Sequence, residues 1–342
     1  MRIVVSGWFW GQSGTGSGQY VNRLLPHLVS LTTQTDDSSS RYAPAQVDDG
    51  EFAPEFTLLL PGALTADAQQ FPGSIAIAPP PPLPRQLAKL FWEQVTVPIW
   101  ARRLHADLLL IPYWAAPLWQ PVPTVVTVHD LIPLLLPAYR GGWPGSLYSK
   151  LVGHSARRSA AVLTVSKAGK RDIVAHLKLP ADRVFAVHHG PNDTGQRMSN
   201  AAARPDPAGD RRFDLRYEIR EKYALPNRYF LYLGGFDARK NVSGIVRAYQ
   251  SYLDMGGDPG VHLVLAGPLP GVDTEIFPDP QRLVRQLKLT DSVRFIGWVD
   301  EADKGQLYAG ATAFLFPSTY EGFGMMLLEA MAAGAPVITS SE

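Results

Sequence analysis

Short β-rich apolar runs recur along the chain, separated by longer amphipathic stretches. Residues 3–6, 56–60, 106–111, 124–128, 161–165 and 183–188 read as strands, and the stretches between them carry helical periodicity. That alternation predicts βαβ units and a parallel sheet. After Gly190 the pattern stops in a polar stretch bearing Pro and Asn. It resumes with strands at 229–233, 262–266, 293–296, 313–316 and 337–339. The chain therefore reads as an α/β protein with a first domain over 1–190, a linker or insertion over 191–225, and a second domain over 226–342. Residues 32–54, rich in Ser, Asp, Gln and Ala, read as a loop insertion. Helices are expected over 20–31 and 325–333.

A length of 342 residues suits two domains. Hydrophobic residues make up 46% and charged residues 18%, as in a soluble globular protein. A net charge of +1 gives no electrostatic footprint for nucleic acid, so nucleic acid is not an expected partner. The absence of cysteine excludes disulfides and thiolate metal sites, which suits the cytoplasm. No apolar run reaches the ~20 residues of a membrane span, and the first five residues open directly into a strand. One stretch, 85–104, mixes Leu87, Leu90, Phe91, Trp92, Val95, Val97, Ile99 and Trp100 with Arg85, Lys89, Arg102 and Arg103. It can be read as a surface resting on anionic lipid at the inner face of a membrane, or as a helix packed on the sheet and interrupted by Pro98.

Candidate chemistry gathers where strands end. Gly11, Gly14, Gly16 and Gly18 follow the first strand; their spacing misses the dinucleotide pattern, leaving an ordinary turn or a substrate loop as readings. His129-Asp130 emerges from the strand at 124–128, as a proton-handling or sugar-binding pair or as a satisfied strand-end histidine. No His spacing suggests zinc, and no Asp-x-Asp triplet offers a metal clamp, so no metal site is expected and a diphosphate's charge would fall to the protein itself. Arg239 and Lys240, after Gly234-Gly235, could hold phosphate or sit on a solvated turn. Glu321-Gly322-Phe323-Gly324 leads from a buried strand into a helix carrying Glu329. Glycines at a helix N-terminus suit an anion such as pyrophosphate, and vicinal sugar hydroxyls are natural partners for a buried helix carboxylate.

Glu321 and Glu329, with seven residues between them beginning at Glu-Gly-Phe-Gly, and with 316–318 before and 329–338 after, resemble family 4 of the retaining glycosyltransferases, and the bacterial mannosyltransferase-like group 1 enzymes in particular. Matching segments at 127–131, 165–166, 235–241 and 295–299 spread the resemblance over most of the chain. It implies the GT-B fold: two Rossmann-like domains with parallel sheets facing a cleft. It also implies that relatives continue past Glu342, so the C-terminal domain is expected to be truncated here. Carried over position by position, it implies that Glu329 holds the nucleotide ribose, that Glu321 and the Phe323-Gly324 backbone hold the donor sugar, and that Lys240 holds the diphosphate. Arg239 would stand in for an arginine that many members carry just after the strand, where this chain has Gly235 and Phe236. Val299 would line the base pocket, His129 would stand on the acceptor side near the reacting carbon, and Gly16 would belong to the loop beneath the diphosphate. The expected activity is transfer of a hexose, with mannose favoured, from a nucleoside-diphosphate sugar to a glycan or lipid-linked acceptor, without cofactor or metal. Competing readings are a sugar-nucleotide epimerase, a phosphorylase, or a non-catalytic sugar-nucleotide-binding module.

Overall fold

A computed structural model of the protein describes residues 1–12, 15–33, 54–62, 71, 73–77, 83–140, 142–190 and 218–341. The chain divides into two units, Met1–His188 and His189–Glu342. The first contains β1 (Arg2–Ser6), α1 (Gly16–Thr33), β2 (Glu55–Pro61), β3 (Ser74–Ile77), α2 (Arg85–Phe91), α3 (Val97–Arg103), β4 (Leu108–Ile111) and β5 (Thr124–Thr127). It ends with α4 (Ile132–Leu135), α5 (Gly142–Arg158), β6 (Ala161–Thr164), α6 (Lys167–Leu177) and β7 (Val184–Ala186). Its seven strands form one parallel sheet in the order β3-β2-β1-β4-β5-β6-β7.

Successive strand residues point to opposite faces, and each face has its own core. Val4, Leu59, Leu109 and Val126 pack with Trp92, Val97, Ala101 and Val152. Ile3, Val5, Leu58 and Leu110 pack with Val21 and Leu25 of α1. Both faces are therefore covered, as an all-parallel sheet requires.

The second unit contains β8 (Arg228–Leu233), α7 (Val242–Asp254), β9 (Val261–Ala266), α8 (Pro280–Gln286), β10 (Val293–Gly297), α9 (Lys304–Gly310), β11 (Ala313–Phe316), α10 (Met325–Ala332) and β12 (Val337–Thr339). Its parallel sheet runs β10-β9-β8-β11-β12. The same alternation recurs: Leu231, Val264 and Phe314 meet Leu307, Tyr308 and Ala330 on one face, and Tyr232, Leu263 and Leu265 meet Val242, Ile245 and Val246 on the other.

Several expectations need correction. Thr32 and Thr33 extend α1 rather than opening the insertion, and 34–53 lies outside the described residues. The strand Ser74–Ile77 was not anticipated, because four residues flanked by Pro-rich sequence show no measurable periodicity. Residues 218–225 are not linker: 218–222 is helical, and Ile219 and Leu225 are buried in the second core. The rest of the expected linker, 191–217, lies outside the described residues. Pro98 does not interrupt its helix. A π-helical turn over Trp92–Thr96 precedes it, so the widened turn relieves the clash that a proline ring makes with the carbonyl four residues back.

Candidate functional site

Strand order reverses direction at two places, between β1 and β4 and between β8 and β11. Ligands of open parallel sheets gather outside the carboxyl ends of strands at such points. In the second unit the segments leaving β8 and β11 are those carrying Arg239-Lys240 and Glu321.

These two segments are joined by backbone and by charge. The Thr319 amide donates to the Arg239 carbonyl at 2.8 Å, and Arg239 Nη1 donates to the Tyr320 carbonyl at 3.2 Å. Arg239 Nη1 also reaches Glu321 Oε2 at 2.9 Å, and Lys240 Nζ reaches Glu321 Oε1 at 2.5 Å. Arg239 Nε pairs with Asp237 Oδ1 at 3.0 Å. Lys240 is only 8% exposed, and its ammonium lies 5.3 Å from the Phe316 ring centroid. The cluster thus contains two cations and two carboxylates, and its charges cancel. Beneath it the buried Tyr232 hydroxyl donates to the Gly235 carbonyl. Burial pushes the Tyr232 phenol well above its usual range, and the nearby Asp237 and Glu321 charges push it further.

Gly324 adopts φ +90° as the N-cap of α10, a conformation that favours glycine. Having no side chain, it offers no cap to the first amides of that helix. Five residues further on, Glu329 is 7% exposed, and the Tyr308 hydroxyl donates to its Oε2 at 3.3 Å. Tyr308 is locked in turn by an edge contact with Phe314, ring centroids 5.0 Å apart. Burial, and then the Glu329 charge, hold the Tyr308 phenol far above its ordinary pKa, so it remains a donor.

Val299, expected to line a base pocket, is 5% exposed and belongs to the core with Leu233 and Phe316. Its side chain is committed to packing, whereas the adjacent Trp298 is 67% exposed.

In the first unit, His129 follows β5 and meets the Tyr20 ring edge-on at 4.7 Å. Asp130 shapes the turn beyond it by accepting the Ile132 amide at 3.0 Å. Gly16 opens α1 with open space where a side chain would be, so nothing in its packing demands glycine. Gly18 is the constrained position: a Cβ there would fall onto the Gln12 carbonyl oxygen.

Sequence reasoning passed over one charged cluster. Lys89, which one of the two readings of 85–104 placed among lipid-facing cations, turns inward: its ammonium pairs with the fully buried Glu93, donates to the Tyr148 hydroxyl at 2.6 Å, and sits among the Phe9, Tyr113 and Tyr148 rings. Tyr148 donates to Glu93 Oε2 at 2.9 Å. Burial nevertheless raises the Glu93 carboxyl, against the pull of Lys89. The signal was a Lys-Glu pair at i, i+4 inside an apolar stretch. Tyr308 carried no such signal, since an aromatic residue on an apolar helix face reads as core.

Among the described residues no helix is long and apolar enough to cross a membrane, and no group of three His, Asp or Glu side chains could hold a metal ion.

Comparison with known proteins adds to this geometry. Residues 216–342 match the model for glycosyl transferases group 1, and residues 55–194 match that for Glycosyltransferase Family 4, together more than three quarters of the chain. The chain is 30% identical over 218 residues to O-antigen chain mannosyltransferase B of Escherichia coli, covering 64% of this chain and 52% of that protein. It is 25% identical over 226 residues to alpha-D-kanosaminyltransferase of Streptomyces kanamyceticus, again covering 64% of this chain and 52% of the relative. The chain thus spans about half the length of these relatives. Among solved structures, Anabaena Alr3699/HepE in complex with UDP aligns with TM-score 0.63 at 18% identity, covering all of this chain and 81% of that one. WaaG, a glycosyltransferase involved in lipopolysaccharide biosynthesis, aligns with TM-score 0.58 at 16% identity. These neighbours share the GT-B fold with this chain.

Proposed function

Since the chain belongs to the family 4, group 1 glycosyltransferases, we propose that it moves a hexose, with mannose favoured, from a nucleoside-diphosphate sugar to a glycan or lipid-linked acceptor with retention of configuration. The observation that carries this is the convergence of Arg239, Lys240, Glu321 and the glycine-capped α10 at the β8/β11 switch point. Mannose is favoured by relatives named as an O-antigen chain mannosyltransferase and a serotype-specific mannosyltransferase.

In this reading Lys240 and Arg239 take the diphosphate, and the first amides of α10 with Phe323 and Gly324 face its charge and the sugar. Glu321 holds sugar hydroxyls, Glu329 the ribose, and the backbone at Val299 the base. Gly16 belongs to the loop beneath the diphosphate, and His129, carried by the first unit, serves the acceptor side. The bond from the anomeric carbon to the phosphate oxygen breaks as the acceptor oxygen attaches on the same face. The departing phosphate takes the acceptor's proton. Negative charge grows on that phosphate through an oxocarbenium-like state, and each well-placed donor facing it contributes about 3–4 kcal/mol. No cofactor or metal enters the scheme.

Peripheral membrane contact fits the same reading. Leu87, Phe91 and Val95 are exposed at four-residue spacing along α2 and the π turn that follows it, in a stretch that also exposes Leu83, Arg85, Arg102 and Arg103. That face suits anionic lipid at the cytoplasmic side of a membrane, where a lipid-linked acceptor would be found. Equal flotation with anionic and neutral vesicles would remove this part of the proposal.

The activity is tested by following nucleoside diphosphate release from GDP- and UDP-sugars with and without acceptor. Release that depends on acceptor supports transfer. Inversion of the sugar without release would instead establish an epimerase.

A further inference from the structure

Resting on the donor site proposed above, the geometry points to a second role for Glu321: we infer that it is an internal counter-ion that sets how much negative charge a ligand must bring. The two cations placed for a diphosphate are not waiting for one. Both Glu321 carboxylate oxygens are taken, one by Arg239 and the other by Lys240, at 2.9 and 2.5 Å. Asp237 holds the remaining edge of the Arg239 guanidinium at 3.0 Å. Bidentate capture of a carboxylate by two cations resembles capture of two phosphate oxygens in its demand for charge and for acceptors. Glu321 thus occupies the cations as a diphosphate would.

The cations are largely buried, with side chains 17% exposed for Arg239 and 10% for Lys240. Stripping a partner from a buried cation is costly unless another anion replaces it. A ligand that offers one weakly charged group cannot replace two short charge-assisted bonds. A diphosphate can, because it brings several oxygens and more charge than the carboxylate it displaces. The exchange also releases Glu321 at the moment the donor arrives, freeing its oxygens for sugar hydroxyls. The displaced carboxylate does not carry the loop away, because Thr319 remains bonded to the Arg239 carbonyl at 2.8 Å and Arg239 to the Tyr320 carbonyl at 3.2 Å.

The signature is counterintuitive for a residue in the donor site: removing its charge should strengthen binding of the bare diphosphate. Calorimetric titration of the wild-type chain, Glu321→Gln and Glu321→Asp with inorganic pyrophosphate, GDP, UDP, GMP and UMP reads this directly, with thermal unfolding recorded beside it to show that each variant is folded. The expected result is that Glu321→Gln binds pyrophosphate and the accepted nucleoside diphosphate about tenfold more tightly, by loss of a competing anion. Monophosphates should gain more than diphosphates, narrowing the discrimination between them. Glu321→Asp keeps the charge and should show no gain. Equal or weaker pyrophosphate binding by a folded Glu321→Gln would overturn the counter-ion role. A gain in pyrophosphate affinity without binding of any nucleotide would leave the counter-ion role standing and overturn the donor reading instead.

Discussion

Replacing Tyr308 with phenylalanine removes one oxygen atom from the second core and nothing else. The ring keeps its edge contact with Phe314, so the packing loss is small. What disappears is the donor to Glu329 Oε2 at 3.3 Å, on a carboxylate only 7% exposed. Hydrogen bonds to charged groups contribute about 1.5–3 kcal/mol, and the long distance places this one near the lower end. About 1.5 kcal/mol corresponds to roughly tenfold in affinity and, in a unit of this size, to about 3–6 °C in Tm. If Glu329 holds the ribose, the loosened carboxylate should weaken nucleoside diphosphate binding by about that factor. The penalty should shrink for a 2′-deoxy nucleotide, whose ribose uses the carboxylate less. Calorimetry with ribo- and deoxyribonucleoside diphosphates, beside differential scanning calorimetry, reads both effects. Unchanged affinity in a destabilised Tyr308→Phe would refute the link between the phenol and the ribose carboxylate and leave Tyr308 a core residue only.

Further expectations follow from the same geometry. Glu329→Gln should raise donor KM by about ten- to 150-fold with little change in kcat, because ribose binding is uniform between ground and transition states; steady-state kinetics over donor concentration checks the split. His129→Ala should lower kcat by about 100-fold or more while nucleoside diphosphate affinity, measured calorimetrically, stays unchanged. Asp303 is raised by burial, but its hydrogen bonds from Lys222 and Tyr223 outweigh this and hold it below its ordinary value. A lowered folded pKa stabilises above the unfolded value and is lost as pH falls through the folded one, so Asp303→Asn should lower Tm at pH 7 and leave it nearly unchanged in strong acid. Turnover should survive EDTA, and restoration by magnesium or manganese after loss would show that the cations alone do not neutralise the diphosphate.

The sheets were legible in the sequence because strands buried on both faces leave dense apolar runs such as 229–233, and because glycines and cations stand where those runs end. That Arg239, Lys240 and Glu321 stand at strand ends was legible for the same reason. What the residues do to one another was not. The pairing of Arg239 and Lys240 with Glu321 joins positions about eighty residues apart, and it exists because three crossover connections bring β8 and β11 together. The inward turn of Lys89 was not legible, because the pattern left 85–104 open between a lipid-facing surface and a helix packed on the sheet, and the fold alone brings Tyr113 and Tyr148 to its ammonium. The resemblance that named Val299 carried no sign of which side chain is buried: Val299 lies in the core and Trp298 is turned outward.

The central claim, that the β8/β11 switch point is a nucleoside-diphosphate site, is tested most directly by equilibrium titration of the chain and its Arg239→Ala/Lys240→Ala double variant with GDP and UDP. One of the two nucleotides should bind the wild-type chain at micromolar order and lose about 100-fold or more in the double variant, as the loss of two charge-assisted partners implies. Binding that survives removal of both cations, or no binding of either nucleotide by the wild-type chain, would contradict it.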